Sequence, residues 1–121
     1  MRLLYVEDNR INALLFEEAL KPHTWIDLRV VYDGSEAVAV APDWQPDVLV
    51  LDSHLPDTSG TVLLSRLRAL PGLGSVPAFM CSADAMPDEV QRGLAAGFLG
   101  YWTKPIDFDA VLADLRRVGG R

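Results

Sequence analysis

The fold is decided by Val48-Leu49-Val50-Leu51-Asp52, where four consecutive apolar residues are followed by a carboxylate. An unbroken apolar run, rather than an alternating one, is typical of a strand that is buried on both faces. Such strands lie in parallel sheets that carry helices on each side. The stretch therefore predicts the central strand of an α/β domain, with an acidic residue at its carboxyl end.

Short apolar runs and helical patterns alternate on both sides of this strand. The other predicted strands are Leu3–Val6, Ile26–Val31, Val76–Cys81 and Phe98–Trp102. Apolar residues at helical spacing predict four helices, which contain Ile11, Leu14, Leu15 and Ala19; Val62, Leu63, Leu67 and Leu70; Val90, Leu94 and Ala95; and Phe108, Val111, Leu112 and Leu115. A weaker helix is predicted from Ser35 to Ala41, and the predicted N-caps of the first and last helices are Asn9 and Asp107. Five strands alternating with five helices indicate βαβ units, which right-handed crossovers build into a three-layer α/β/α sandwich around a parallel sheet.

The bulk composition fits one soluble domain over residues 1–121. Half of the residues are hydrophobic and 23% are charged, which is ordinary for a globular protein. The net charge of -6 argues against direct nucleic-acid binding, because neutralising phosphates requires clustered Lys and Arg. The acidic excess has two explanations, which are solubility and a group of carboxylates that binds a cation.

No leader or membrane span is apparent in the sequence. The first apolar run, Leu3–Val6, is far shorter than the roughly 20 residues that a span needs. Cys81 is the single cysteine and cannot form an internal disulfide. We therefore expect a cytoplasmic protein, or the cytoplasmic portion of a longer one, with no membrane insertion by this segment.

Polar residues follow the predicted strands: Glu7 and Asp8 the first, Asp52 the third, Ser82 the fourth and Lys104 the fifth. The carboxyl ends of parallel strands meet at one edge of a sheet, where α/β proteins bind ligands. Three carboxylates there would repel one another without a cation, and Mg²⁺ prefers such oxygen ligands. A lysine and a hydroxyl complete an electrostatic site that suits phosphoryl transfer to an aspartate nucleophile.

Each of these residues also has a simpler interpretation. Glu7 and Asp8 could begin a helix in solvent, Ser82 could cap one, and Lys104 could be a surface charge. Each simpler reading is plausible by itself. All of them must hold together for the phosphoryl-transfer hypothesis to fail.

Four motifs in chain order resemble the response-regulator receiver family of bacterial two-component signalling. They are Leu4–Asn9, Leu51–Gly60, Cys81–Ala85, and Ala96–Phe98 leading to Tyr101–Asp107. The resemblance covers essentially the whole chain. It implies a five-stranded parallel sheet of flavodoxin-like (βα)5 topology, with the strand order 2-1-3-4-5.

The resemblance also implies roles for the residues at the strand ends. Asp52 would be phosphorylated, and Mg²⁺, with Mn²⁺ as a second candidate, would be bound by Glu7, Asp8, Asp52 and the backbone carbonyl of His54. Lys104 would pair with the phosphoryl oxygens. Glu7 departs from the more frequent Asp and could reach the metal through water.

Further roles follow from the same resemblance. Ser82 and Tyr101 would be the switch residues, and Pro105 stands where the family often has a cis peptide bond. His54 and Asp84, two residues past Asp52 and Ser82, are predicted to face the mouth of the site and tune the phosphoryl lifetime. The alternative for His54 is an ordinary exposed loop residue.

As a receiver, the domain would take its phosphoryl group from a histidine kinase or a histidine phosphotransfer domain. The rearranged switch would alter the face of the fourth helix, fifth strand and fifth helix, which would control an output domain or target protein. Such a domain catalyses only its own phosphorylation and dephosphorylation. The alternative is an aspartyl-phosphate phosphatase-type hydrolase, which usually has a second carboxylate where this chain has His54.

Two stretches, Tyr5–Asn9 and Ser82–Pro87, are similar to receivers attached to hybrid sensor histidine kinases. The resemblance thus favours a receiver in the cytoplasmic part of a membrane-anchored kinase. A stand-alone response regulator remains the other interpretation.

Overall fold

Five parallel strands form one sheet in the order β2-β1-β3-β4-β5, with five helices on its faces. This computed structural model describes residues 1–84 and 86–119, so Ala85 of the third motif lies outside the described residues. The elements are β1 (Arg2–Val6), α1 (Arg10–Leu20), β2 (Asp27–Val31), α2 (Gly34–Trp44), β3 (Val48–Asp52), α3 (Gly60–Arg68), β4 (Ala78–Ser82), α4 (Pro87–Ala95), β5 (Gly100–Thr103) and α5 (Phe108–Val118). The predicted fold class and strand order are confirmed.

The central strand β3 is buried along its whole length, as its unbroken apolar run predicts. It pairs with β1 on one side and β4 on the other. Alternate residues enter two cores, because side chains of a strand point to opposite faces. Leu49 and Leu51 pack in the core that includes Leu63 of α3, and Val50 packs in the core that includes Phe16 of α1 and Val111 of α5.

Three strands begin later than the apolar pattern predicts, and β2 does so by a single residue, at Asp27 rather than Ile26. β4 begins at Ala78 rather than Val76, because the carbonyl of Val76 accepts a hydrogen bond from the Arg68 side chain outside the sheet. β5 begins at Gly100 rather than Phe98, since the N–H of Phe98 donates to Gly93 in the turn after α4. Apolar residues that close a turn over the core thus mimic the start of a strand.

The second helix extends past its predicted end. α2 continues through Pro42 to Trp44 and ends at Gln45, whose φ of 54° is left-handed. Pro42 lies in the last turn, where it removes one backbone donor. Packing of Ala41 and Trp44 against the core offsets that loss.

The predicted apolar face of α1 is wrong at three of its four positions, and of that set Ala19 alone packs against the core. Ile11, Leu14 and Leu15 are exposed, and the helix buries Phe16 and Leu20 instead. The predicted N-cap is confirmed, because the Asn9 side chain accepts from two backbone N–H groups. Val62 of α3 and Leu94 of α4, also predicted on buried faces, are exposed as well.

The helices are 9 to 11 residues long. Within residues 1–84 and 86–119, no helix has the length and apolar character needed to cross a bilayer.

Candidate functional site

The polar residues predicted at the strand ends come together at the carboxyl edge of the sheet. Asp52 and Ser82 are the last residues of β3 and β4, and Glu7 directly follows β1. These three are the buried polar or charged residues of the described chain. Lys104 directly follows β5 and reaches across the edge from the far side of β4.

The ammonium group of Lys104 bridges two of the buried carboxylates. Its Nζ lies 2.7 Å from Oε1 of Glu7 and 3.2 Å from Oδ1 of Asp52. Burial opposes the charged form of the lysine, but the hydrogen bond to Glu7 and the charge of Asp52 outweigh it and raise the pKa of Lys104. The lysine is therefore cationic at neutral pH. The Lys104–Pro105 peptide bond is cis, as the resemblance implies.

Glu7 is held by hydrogen bonds at both carboxylate oxygens. The Tyr5 hydroxyl donates to Oε1 at 3.1 Å, and the N–H of Asn9 donates to Oε2 at 3.2 Å. Burial alone would raise the pKa of Glu7, but the hydrogen bonds from Lys104 and Asn9 reverse this and lower it. Burial raises the pKa of the Tyr5 phenol far above its ordinary value, so Tyr5 remains a donor. Glu7 is consequently ionised over the physiological range.

Asp52 has the opposite shift. Burial, followed by the negative charge of Glu7, raises the pKa of Asp52 to about 6, although Lys104 opposes the change. Its carboxylate is thus destabilised yet largely ionised at pH 7, which suits a nucleophile.

Three carboxylates form a candidate metal site. Single oxygens of Glu7, Asp8 and Asp52 lie within 4.8 Å of one another, and Asp8 is the exposed member. Within the described residues, no N–H donates to the carbonyl of His54, which leaves that oxygen available. An all-oxygen donor set of this kind fits Mg²⁺ or Mn²⁺.

The predicted switch residues are connected through one backbone segment. Oγ of Ser82 accepts hydrogen bonds from Oγ of Ser53 at 2.8 Å and from the N–H of Asp84 at 3.0 Å. The carbonyl of Asp84 accepts from the Tyr101 hydroxyl at 2.8 Å. Sequence reasoning missed Ser53, and its position directly after Asp52 at a strand end was the available signal.

The loop after β3 is fixed at both ends. The N–H of Gly60 donates to the carbonyl of Ser53, and a Cβ at Gly60 would lie 2.7 Å from the carbonyl oxygen of Asp52. Asp57 accepts from the N–H groups of Gly34 and Ser35 at 2.9 and 3.0 Å, and so caps α2 from another loop. These contacts lower the pKa of the Asp57 carboxyl.

The two predicted tuning residues occupy different settings. His54 is exposed in the loop after β3. The carboxylate of Asp84 accepts from the N–H of Met86 at 2.9 Å, directly before α4. Asp84 therefore shapes the start of α4 in addition to lying next to Ser82.

The sheet order and the acidic cluster at its carboxyl edge define a receiver domain of two-component signalling. Residues 3–116 match the response regulator receiver domain family, and the chain belongs to that family. The match does not favour the hydrolase alternative.

Three similar proteins illustrate the range of the family. The chain is 40% identical to the probable transcriptional regulatory protein TcrX and 37% identical to the transcriptional regulatory protein TrcR, both of Mycobacterium tuberculosis. The alignments cover 94% and 96% of this chain but 47% and 44% of those proteins, so the chain spans less than half of their length.

A solved receiver domain, that of the sensor histidine kinase PA1611 from Pseudomonas aeruginosa PAO1, is also similar. It superimposes with a TM-score of 0.88 at 28% identity, over 99% of this chain and 98% of that chain. That structure has a magnesium ion coordinated in its active site cleft.

Proposed function

We propose that residues 1–121 form a single receiver domain that accepts a phosphoryl group on Asp52 from a phosphohistidine. The observation that carries this proposal is the buried Asp52 carboxylate, which is ionisable near neutral pH and lies 3.2 Å from the Lys104 ammonium. Glu7 is also buried beside Lys104 and in the same carboxylate cluster. Both of its oxygens accept hydrogen bonds from Tyr5 and Asn9, however, and its pKa is lowered, whereas the pKa of Asp52 is raised.

In the proposed reaction, a carboxylate oxygen of Asp52 attacks the phosphorus of a phosphohistidine. The new P–O bond forms as the P–N bond breaks, and the departing imidazole nitrogen keeps the electron pair and takes a proton. Lys104 pairs with the phosphoryl oxygens, where a fixed cation stabilises the developing charge. Glu7 holds Lys104 in place through the 2.7 Å ion pair.

Mg²⁺ is the proposed cofactor, with Mn²⁺ as the second candidate. Glu7, Asp8, Asp52 and the carbonyl of His54 would hold it, in keeping with their oxygen donors. When bound, the ion would supply positive charge that offsets the negative charge of the carboxylates and of the phosphoryl group. The buried Glu7 would bind the ion either directly or through a water molecule.

The proposed switch consists of Ser82 and Tyr101. Ser82 would turn toward the phosphoryl group, and its hydrogen bond to the N–H of Asp84 would then break. The carbonyl of Asp84 accepts a hydrogen bond from the Tyr101 hydroxyl, so a movement of the Asp84 backbone would displace the side chain of Tyr101 in β5. Phosphorylation would thereby shift the populations of two forms of the α4–β5–α5 face, which controls an output domain or target protein.

The exposed side of α1 is the proposed contact for the phosphohistidine-bearing partner. Ile11, Leu14 and Leu15 are 71%, 56% and 56% exposed. Leu15 also lines a pocket of about 120 Å³ together with Lys104 and Pro105. A partner that covers these apolar residues would bring its phosphohistidine to the mouth of the site while burying apolar surface.

The setting of the domain is also a proposal. Similarity to the receiver of the sensor histidine kinase PA1611 supports the proposal that this chain is the receiver of a hybrid sensor histidine kinase. The receiver would then lie in the cytoplasmic part of its parent kinase. A response regulator such as TcrX is the alternative. In either setting the domain turns over no diffusible substrate.

His54 and Asp84 are proposed to tune the phosphoryl lifetime. The exposed His54 imidazole is two residues from Asp52, where it would influence the approach of water. Asp84 would act through the backbone that contacts Ser82 and Tyr101. Timing the loss of phosphate in His54→Ala tests the first role, and an unchanged lifetime contradicts it.

The phosphoacceptor is tested by adding acetyl phosphate and Mg²⁺ and counting phosphoryl groups by intact mass spectrometry. We expect one group in the wild-type domain, none after chelation of Mg²⁺, and none in Asp52→Asn. Asp43→Asn, which changes an exposed carboxylate on α2, is the matched control and should be phosphorylated normally. Modification of Asp52→Asn to the wild-type extent would refute the proposal.

A further inference from the structure

Ser53 lies beside the proposed switch serine and hydrogen-bonds to it. Its Oγ donates to Oγ of Ser82 at 2.8 Å, and the N–H of Asp84 donates to the same oxygen at 3.0 Å. Ser82 is 1% exposed, so water does not readily replace either donor. The hydroxyl oxygen of Ser82 thus has both acceptor positions occupied.

The backbone fixes Ser53 in this position. Its N–H donates to the carbonyl of Cys81 at 2.9 Å, and its carbonyl accepts from the N–H of Gly60 at 3.0 Å. The hydroxyl is therefore presented from a rigid segment that also contains Asp52. Within the described residues, Ser82 makes no hydrogen bond to Asp52, so its hydroxyl is held away from the proposed phosphoacceptor.

From this geometry we propose that Ser53 is a positioning residue that restrains the switch hydroxyl of Ser82 in the unphosphorylated domain. The inference rests on the proposed phosphorylation of Asp52 and on the turning of Ser82 toward it. Ser82 must give up the hydrogen bond from Ser53 when it turns. Ser53 therefore sets part of the free-energy difference between the resting and activated forms.

Removal of the Ser53 hydroxyl should make activation easier. A neutral hydrogen bond of this kind is worth about two- to tenfold in an equilibrium constant. We expect Ser53→Ala to bind beryllium fluoride about two- to tenfold more tightly than the wild-type domain at a fixed Mg²⁺ concentration. Binding is measured by ¹⁹F NMR of the bound fluoride.

A double-mutant cycle separates this role from a general packing effect. In a Ser82→Ala background, Ser53→Ala should leave the affinity unchanged, because the restrained hydroxyl is absent. Ser65→Ala, an exposed serine on α3, is the control and should match the wild-type domain. Ser53→Thr keeps a hydroxyl and should bind with nearly wild-type affinity.

The outcomes distinguish this inference from the proposed function. If the wild-type domain binds no beryllium fluoride with Mg²⁺, the proposed function fails. If the wild-type domain binds, but Ser53→Ala binds equally or more weakly, the restraint by Ser53 is refuted. If Ser53→Ala does not fold, Ser53→Cys decides, since the thiol keeps the volume but is a weaker donor and should shift the affinity in the same direction.

Discussion

The two ends of the sheet differ in whether their charged side chains are buried or exposed to water. At the carboxyl ends of the strands, the buried Glu7 and Asp52 share the ammonium group of Lys104. At the other end, the guanidinium groups of Arg2 and Arg29 remain exposed and lie 5.9 and 5.3 Å from the ring centre of Trp44. One end withdraws charges from water, and the other leaves them in it.

We infer from this difference that the charged residues at the carboxyl end act in phosphorylation, whereas those at the amino end contribute to stability. Buried charges lose hydration, and their mutual attraction repays that loss only in part. Exposed cations on an aromatic ring lose little hydration and contribute modestly to stability. Substitutions at the carboxyl end should therefore change phosphorylation, whereas those at the amino end should change only the free energy of unfolding.

The largest expected effect is that of Lys104→Met. The phosphorylation rate should fall by about 100-fold or more, as when one preorganised charge-stabilising donor is removed. The free energy of unfolding should fall by about 3 kcal/mol, because Glu7 loses its buried partner. Initial rates with acetyl phosphate and urea unfolding measure the two effects.

The stability loss in Lys104→Met can be separated from the rate loss. In the double variant Glu7→Gln with Lys104→Met, part of the stability should return, because the buried Glu7 charge is removed, although Asp52 still lacks its cation. Phosphorylation should stay slow. Recovery of the rate together with the stability would show that Lys104 acts only on the fold.

The next effect is a pH-dependent cost of the Asp52 carboxylate in the absence of divalent ions. Its pKa is about 6 in the folded domain and near 3.8 when unperturbed, so the folded state binds the proton more tightly. Stability from this group is present at low pH and is lost as pH rises from about 4 to 6. Asp52→Asn should thus be about 1–3 kcal/mol more stable than the wild-type domain at pH 7.5, with little difference at pH 4.

Urea unfolding of both proteins in EDTA across this pH range measures that difference. Added Mg²⁺ should stabilise the wild-type domain alone, since the variant lacks one of the proposed ligands. A constant difference between pH 4 and 7.5 would contradict the raised pKa of Asp52.

At the amino end, Trp44→Ala should lower the free energy of unfolding by about 1–3 kcal/mol. Trp44 is partly buried and packs against the core between the sheet, α2 and α3. The phosphorylation rate should stay within about twofold of the wild-type rate. The charges next to Trp44 are those of Arg2 and Arg29, which lie away from Asp52 and are screened by salt. A large loss of phosphorylation rate in a folded Trp44→Ala domain would contradict the expectation that the amino end affects stability alone.

The carboxyl end was largely predictable because topology alone brings its residues together. Once the chain is recognised as alternating strands and helices, Glu7, Asp52, Ser82 and Lys104 must meet at one edge. Their shared position depends on where strands end, and an apolar run locates that within a residue or two. Side-chain contacts such as that of Ser53 with Ser82 depend on rotamers, which the sequence pattern does not determine.

Helix α1 shows where sequence patterns fail. Its apolar residues, which include Ile11, Leu14, Leu15, Phe16 and Leu20, cover more than one face of the helix. Adjacent residues are about 100° apart, so Leu15 and Phe16 cannot both point into the same core. The pattern contains more apolar residues than the core can take, and it does not indicate which of them remain exposed.

The smallest effect, and the sharpest test of the amino end, is that of Arg29→Met. Loss of an exposed cation over Trp44 should lower the free energy of unfolding by about 0.5 kcal/mol and leave phosphorylation unchanged. In a Trp44→Ala background the same substitution should have almost no effect, because the ring is gone. A cost that persists without Trp44 would mean that Arg29 acts through another contact. A changed phosphorylation rate would mean that the charge of Arg29, the middle residue of β2, influences Asp52 of β3 from the far side of β1.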